Sequence, residues 1–377
     1  MKLGWTRTIA GAALTFVVCL LGIVTVSGQA VSDQPQMAEN VFKNVQVLKG
    51  IPVDEFMDAM GMFASSLGYD CASCHDQGIH NTREAFAITT PTITRARQMV
   101  AMMTTINKNF FKGEPRVTCF TCHRTNYNPE NIPSLAAQYA VLTDDPNAMT
   151  IFPDKERTVD QVFAKYMQAL GGADRVARLT SYTAKGKYEG FNTGGVETPI
   201  EIYAKAPNQR TQIVRAPDGD SVKTFDGKSA WVAEGWRPLP LLPMTGGNLA
   251  GMKLDAIVAF PAGIRQAFAQ WRIGTATIDE KPVQILQGLN PGELPVNFYF
   301  DEAGLLVRTV RWNKTSVGTV PTQFDYSDYK DVNGVKIPHH LLMTWTDGQN
   351  TFDLSEVRAN VTIEASRFAK PAPFQKK

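Results

Sequence analysis

Residues 117–124 read Val-Thr-Cys-Phe-Thr-Cys-His-Arg, two cysteines three positions apart with a histidine directly after the second. The same arrangement stands once more at Cys71-Ala72-Ser73-Cys74-His75. A disulfide, a zinc ion or a haem can use such a pair. A redox disulfide of the Cys-x-x-Cys kind sits in a thioredoxin-like βαβ pattern, which neither motif has around it, and zinc ribbons need no histidine after each pair. Covalent attachment of a c-type haem does need one. On a helical turn residues i and i+3 share a face, so both thiols reach the two vinyl groups on one porphyrin edge, and the next residue turns its imidazole to the iron. The chain has five cysteines, and all but Cys19 fall in these two motifs. The expectation is two covalently attached c-type haems, with Cys71, Cys74, Cys119 and Cys122 as attachment points and His75 and His123 as proximal iron ligands.

Cys19 belongs to another feature. Residues 1–30 begin with Lys2 and Arg7, continue as an uncharged apolar run from Ile9 to Val26, and end in Ser27-Gly28-Gln29-Ala30. That order is a secretory signal with cleavage after Ala30. Val18 before Cys19 is a poor match to a lipoprotein processing site, so Cys19 reads as an ordinary signal residue. An apolar run of about 18 residues also suffices to cross a bilayer, so an uncleaved segment would act as an inner-membrane anchor. Both readings put the rest of the chain in the periplasm or outside the cell. A net charge of +2 argues neither for nor against nucleic acid, and with no basic block in the chain that class is set aside.

The remaining sequence divides by texture. Residues 31–140 read as helical. Val53 to Leu67 spaces Phe56, Met57, Met60, Phe63, Ala64 and Leu67 at helical intervals and stops at Gly68. A second helix follows Pro91, with Ile93, Ala96, Met99, Met102, Met103 and Ile106 along it and Gly113 and Pro115 beyond its end. Each helix precedes one of the cysteine motifs, so this part is an internal repeat of two units. Residues 141–157, rich in Asp and Pro, read as a linker. From 158 to 377 a short helix ending at Gly171-Gly172 gives way to short segments rich in Val, Ile, Thr and aromatics. Asp226-Gly227, Ala303-Gly304, Asn333-Gly334 and Asp347-Gly348 separate many of them. Such hairpin signals predict an antiparallel sheet, with one helical interruption from Lys253 to Trp271 packing on it. The fold class expected is multidomain: an all-α dihaem cytochrome c module, then an α+β domain with a curled antiparallel sheet.

The sixth ligand of each iron decides what such a protein does. Methionine opposite histidine raises the reduction potential and closes the iron to substrate, whereas an open position suits peroxide or oxygen chemistry. Two methionine clusters offer themselves, Met57, Met60 and Met62 in the first unit and Met99, Met102 and Met103 in the second; a methionine on a helix is also ordinary core packing. Spacing alone does not choose within a cluster.

The runs Ala38 to Met60 and Arg97 to Asn107, each followed by its cysteine motif, resemble the first half of the multihaem cytochrome c subunit of photosynthetic reaction centres. The resemblance covers residues 38–130. In that family a methionine on the helix ahead of each of the first two motifs is the sixth ligand, which implies Met60 and Met99 here. The family carries four haems and this chain has two motifs. A family histidine that precedes the second motif and reaches the fourth haem is missing from the loop "NFFKGEPRVT". The resemblance thus implies a dihaem module, without implying a reaction centre as partner.

Other residues carry weaker signals. His80 reads as a surface residue or a distal ligand, and His339 and His340 as solvated or edge positions at the start of a strand. Arg95, Arg97, Arg116 and Arg124 suit either haem propionates or a solvated face, and Phe63, Phe110, Phe111 and Phe120 suit haem-pocket walls. The strand-rich part loosely resembles curled-sheet lipoprotein carrier domains of the bacterial envelope, an architectural likeness that gives no function. The leading expectation is an electron-transfer protein working with redox proteins of the envelope, as a monomer or an oligomer. The alternatives are a dihaem peroxidase-like enzyme with one open iron, and a lipid-binding module whose haems sense redox state.

Overall fold

The computed structural model describes residues 34–140, 145–346 and 348–376. The expected signal, residues 1–30, lies outside them. The chain from Asp33 to Lys377 clusters as one compact unit.

Its first part is helical: α1 (Ala38–Val41), α2 (Val53–Leu67), α3 (Cys71–Cys74), two 3-10 turns (Gln77–His80 and Arg83–Ala87), α4 (Pro91–Phe110), α5 (Cys119–His123) and α6 (Leu135–Gln138). The two long helices start and stop where the sequence says. Gly68 ends α2 in the left-handed conformation at φ 65°, and Thr90 caps α4, accepting from the Ile93 N–H, with Pro91 at the first turn.

The second part is a sheet with helices on it. Strand β1 (Phe152–Pro153) is followed by α7 (Val159–Ala169), α8 (Ala173–Ala177), β2 (Ser181–Glu189), β3 (Thr198–Lys205), β4 (Gln209–Ala216), β5 (Gly219–Phe225), β6 (Ala230–Ala233) and β7 (Leu242–Pro243). Then come α9 (Gly246–Val258), β8 (Gln270–Ile278), β9 (Lys281–Leu289), β10 (Val296–Phe300), β11 (Leu306–Thr315), β12 (Gly318–Val332), β13 (Val335–Trp345) and β14 (Gly348–Ala359). All pair antiparallel in one sheet, ordered β1-β8-β9-β10-β11-β12-β13-β14-β2-β3-β4-β5-β6-β7. Two meanders are joined where β14 pairs with β2, Phe352 opposite Tyr188.

The sheet curls around its own helices. Phe163 and Tyr166 of α7, Leu170 just after it and Leu254 of α9 share one buried cluster with Ala204 of β3, Leu286 of β9, Phe298 and Phe300 of β10, Tyr326 of β12 and Ile337 of β13. Trp271 meets Phe163, Phe268 and Phe298 ring to ring at 5.0, 5.0 and 5.6 Å. The helices therefore fill the inner face of the curl, and a cavity of about 80 Å³ remains there, beside Tyr166, Arg210 and Asp255.

Three features differ from expectation. The helical interruption is shorter and earlier than Lys253 to Trp271. Pro261 holds Phe260 extended (φ −128°, ψ 81°) and leaves only a 3-10 turn, Pro261–Gln266, while Gln270 and Trp271 already open β8. The residues expected to link the parts are held by the sheet from Asp145 on. The Tyr299 hydroxyl donates to the Pro146 carbonyl (2.5 Å), Asn297 to Ala148 (3.2 Å) and Gln287 to Met149 (2.8 Å). His339 is buried, its Nδ1 2.9 Å from the Ile337 carbonyl; His340 points the other way, to Asp353 at 2.6 Å. Their strand, β13, lies inside the sheet between β12 and β14.

Candidate functional site

Each cysteine motif forms a single capped helical turn. In the first, Asp70 accepts from the backbone N–H and hydroxyl of Ser73 (2.8 and 2.6 Å), which closes α3. In the second, Thr118 and Thr121 cap each other's backbone in a capping box that closes α5. The chain entering that turn is clamped by buried Asn107 of α4, which donates to the Val117 carbonyl (2.7 Å) and accepts from the Val117 N–H (2.9 Å). Thr90 joins the first turn to the start of α4 through a 2.6 Å bond from its hydroxyl to the Cys74 carbonyl.

Both histidines are oriented the same way. Nδ1 of His75 faces the Phe86 carbonyl at 3.1 Å, and Nδ1 of His123 faces the Asn126 carbonyl at 3.0 Å. With Nδ1–H donating to a backbone carbonyl, Nε2 keeps its lone pair for a metal. Burial holds the His75 imidazole below its ordinary value, against the opposing pull of the Phe86 carbonyl, and so favours the neutral ring a metal ligand must be. Burial also raises the Cys74 thiol and pushes that of Cys119 up to about 11. No disulfide joins the four cysteines, and among the described residues no group of three or more His, Cys, Asp or Glu forms a metal site.

The methionines sort into two kinds. Met62 and Met103 are 5% and 6% exposed and pack with Ala59, Val100, Val317 and Val320, so both are spent on joining α2 and α4 to the β11–β12 hairpin. Met57, Met60 and Met99 are half-buried and Met102 is exposed.

The two long helices leave their more apolar faces only half covered. What α2 buries is Val53, Asp54, Ala59, Gly61, Met62 and Ser66, while Phe56, Met57, Met60, Phe63, Ala64 and Leu67 stay half-covered. On α4 only Val100, Met103 and Asn107 are buried, and Ile93, Ala96, Met99 and Ile106 are half-covered. Most exposed large hydrophobics among the described residues lie between Phe86 and Tyr139, with Phe110 75%, Met102 48% and Phe120 47% exposed. Apolar surface concentrated in this stretch, which contains the second histidine-bearing turn and reaches the first through Phe86, fits a flat apolar group on each. Cys71, Cys74 and His75 would hold one haem, and Cys119, Cys122 and His123 the other.

Residues 19–158 match the photosynthetic reaction centre cytochrome C subunit family. A relative of that description from Roseobacter denitrificans is 30% identical over 104 residues, covering 26% of this chain and 28% of its own length. The match thus spans little more than a quarter of that relative. Residues 243–356 match a family of unknown function, DUF6544. Among solved structures, a DUF1329 family protein from Desulfovibrio piger shares 12% identity at a TM-score of 0.39, covering 56% of this chain and 97% of that one. A putative outer membrane lipoprotein-sorting protein domain from Vibrio parahaemolyticus shares 11% at 0.38, covering 55% and 97%. Residues 19–158 thus resemble the reaction-centre cytochrome family.

The arginines the sequence singled out are placed differently from one another. Arg97 donates to the Asn44 carbonyl at 2.8 Å, Arg124 closes α5 as its last cap, and Arg95, Arg116 and Arg124 are exposed. The side chain of His80 lies outside the described ones. Conversely, Asn107, Thr90 and the Phe86 carbonyl fix the turns and were not legible, because a buried amide and a backbone oxygen carry no pattern. Thr118 with Thr121 is the exception, since two hydroxyl residues spaced across a helix start announce a cap.

Proposed function

We propose that the chain is a dihaem c-type cytochrome of the bacterial envelope that passes single electrons between redox proteins, with His75 and Met60 as the axial ligands of one iron and His123 and Met99 as those of the other. The observation that carries this reading is the pairing of each histidine-fixed Cys-x-x-Cys-His turn with a helix whose methionine-bearing apolar face is left half covered. The match of residues 19–158 to the reaction-centre cytochrome family supports it. The haem iron supplies reversible one-electron exchange between its ferrous and ferric forms. The chain's own part would be to hold the two groups by their thiols, fix the imidazoles through the Phe86 and Asn126 carbonyls, and offer the Met60 and Met99 thioethers as further ligands, which would raise the potential.

The lipid-binding alternative finds less support, because α7 and α9 fill the curl of the sheet. In place of a carrier cavity, the sheet offers α2 a bed: Gly61 of α2 lies so close to it that a Cβ there would sit 2.4 Å from the Trp345 ring.

The test is an optical and EPR spectrum of protein matured in a host with haem-attachment machinery, with haem counted per chain. Two low-spin haems with the red-edge absorption of methionine-ligated ferric iron are expected. A high-spin component that binds carbon monoxide or peroxide would overturn the carrier reading in favour of an enzyme.

A further inference from the structure

The helical part meets the rest of the chain in several places, two of them on the segment 235–248. The first is at the loop carrying the Phe86 carbonyl. Arg83, in the same 3-10 turn as Phe86, donates to the Gly235 carbonyl at 2.6 Å and to the Pro238 carbonyl at 3.2 Å. The second is on α2. Asp54 and Asp58 stand one turn apart on its buried face. Asp54 accepts from the Thr245 N–H (2.6 Å) and hydroxyl (2.8 Å), and Asp58 from the Asn248 amide (2.9 Å) and the Asn313 amide (3.2 Å). Thr245 is the residue that opens α9 and makes no side-chain cap of its own, so a carboxylate of α2 takes that role where the helix dipole favours it.

The receiving segment is itself rigid. Glu234 is fully buried, with Lys223 at 3.4 Å and Arg237 at 3.1 Å. Phe374 of the C-terminal tail donates its N–H to the Pro240 carbonyl at 2.7 Å, and its ring lies where any side chain at Gly235 would be, 2.7 Å from a Cβ there. Gly235 is thus the residue the close approach requires.

We propose that residues 235–248 form a rigid frame that sets the spacing between the two axial arms of the first haem, with Arg83 as the positioning residue. One arm runs from the frame through Arg83 and the Phe86 carbonyl to His75. The other runs through Thr245 and Asn248 to α2 and Met60. The inference rests on the proposed dihaem reading and adds a role for the sheet: it tunes one haem rather than carrying a ligand. His123 is held by the Asn126 carbonyl, three residues away on its own loop, and has no such path through Arg83.

The experiment compares wild-type full-length holoprotein with Arg83→Ala, Arg83→Lys and Thr245→Val, each assayed for haem per chain, for red-edge absorption and for both reduction potentials. Arg83→Ala is expected to lower one potential, leave the other in place and remove up to half of the red-edge band, because a loosened thioether bond no longer raises the potential. Arg83→Lys, still able to reach one carbonyl, should recover part of the shift, and Thr245→Val should move the same haem. These milder variants also cover the case in which Arg83→Ala fails to mature. Two low-spin haems whose potentials ignore all three changes, or move together, overturn the inference alone. A wild-type chain that takes up no haem overturns the dihaem reading and the inference with it.

Discussion

The Nδ1 of His75 lies 3.1 Å from the carbonyl oxygen of Phe86, and the Phe86 ring stands edge-on to the imidazole at a centroid distance of 5.0 Å. One residue thus supplies both the hydrogen bond that selects the tautomer and the wall that fixes the ring plane. The contact comes from eleven positions downstream, on a turn tied to the sheet by Arg83 and to α1's loop by Asn44, whose amide donates to the Ala87 carbonyl at 2.8 Å. The orientation of His75 is therefore a property of the folded whole and not of the five-residue motif.

The division among the methionines gives a paired prediction. Met62→Ala and Met103→Ala empty space in a well-packed cluster and should each cost about 3 kcal/mol of stability while leaving the visible spectrum as it was. Met60→Ala and Met99→Ala should cost little stability and turn one haem high-spin each. Denaturant melts and spectra on the same four preparations decide it. A spectral change in Met62→Ala with none in Met60→Ala would reassign the ligand of the first haem.

Replacing Cys71, Cys74, Cys119 and Cys122 together by Ala gives a chain unable to attach haem. The helical part keeps the small cluster of Ala59, Met62, Val100 and Met103 against Val317 and Val320, whereas the sheet has a core of its own built on α7 and α9. Limited proteolysis is expected to cut this variant within residues 70–140 and spare 158–376, while the mature holoprotein resists throughout. Equal resistance in both forms would mean that the helical part needs no group to complete it.

Much of this was legible. Gly68 and Pro91 set limits of α2 and α4, and the turn pairs Asp226-Gly227, Ala303-Gly304 and Asn333-Gly334 stand between β5 and β6, β10 and β11, and β12 and β13, because those signals are local. What stayed hidden depends on partners far away in sequence. Hydrophobic periodicity marks Phe56, Met57, Met60 and Phe63 as the inner face of α2, yet the buried face includes Asp54, whose bonding partner Thr245 is nearly two hundred residues on. A carboxylate reads as surface until its donor is known. The start of α9 was missed for a different reason: Gly246-Gly247-Asn248 are poor helix formers, held in place by Asp54 and Asp58 and not by propensity.

Gly61 lies close against the sheet. In a helix interior Gly→Ala normally stabilises by about 1 kcal/mol. Here the new methyl would meet the Trp345 ring at 2.4 Å and the Thr346 hydroxyl at 2.8 Å. Overpacking of this kind costs about 1–3 kcal/mol, so Gly61→Ala should be neutral to destabilising by about 2 kcal/mol. Urea midpoints with Trp345 fluorescence as the probe will show it; a gain in stability would mean that α2 can lift off its bed freely.

Glu234, beneath the segment that receives Arg83, makes the stability of this frame depend on acid. Burial opposes its charge, but the nearby charges of Lys223 and Arg237, with the hydrogen bond that Arg237 donates, overcome it and hold the carboxyl below the ordinary 4.5. The folded state therefore gives up this proton more readily than the unfolded chain does. Its contribution is present in full above about 4.5 and is lost as pH falls through the lower folded value. Glu234→Gln removes that dependence, so the stability difference between wild type and variant should shrink steadily as pH is lowered from 5 through the acid range. Arg237→Ala, which leaves the buried carboxylate with Lys223 alone, should cost about 3 kcal/mol at neutral pH. Parallel stability profiles for wild type and Glu234→Gln across that range would show that the carboxyl has the same proton affinity folded and unfolded, and that Lys223 and Arg237 do not hold it charged.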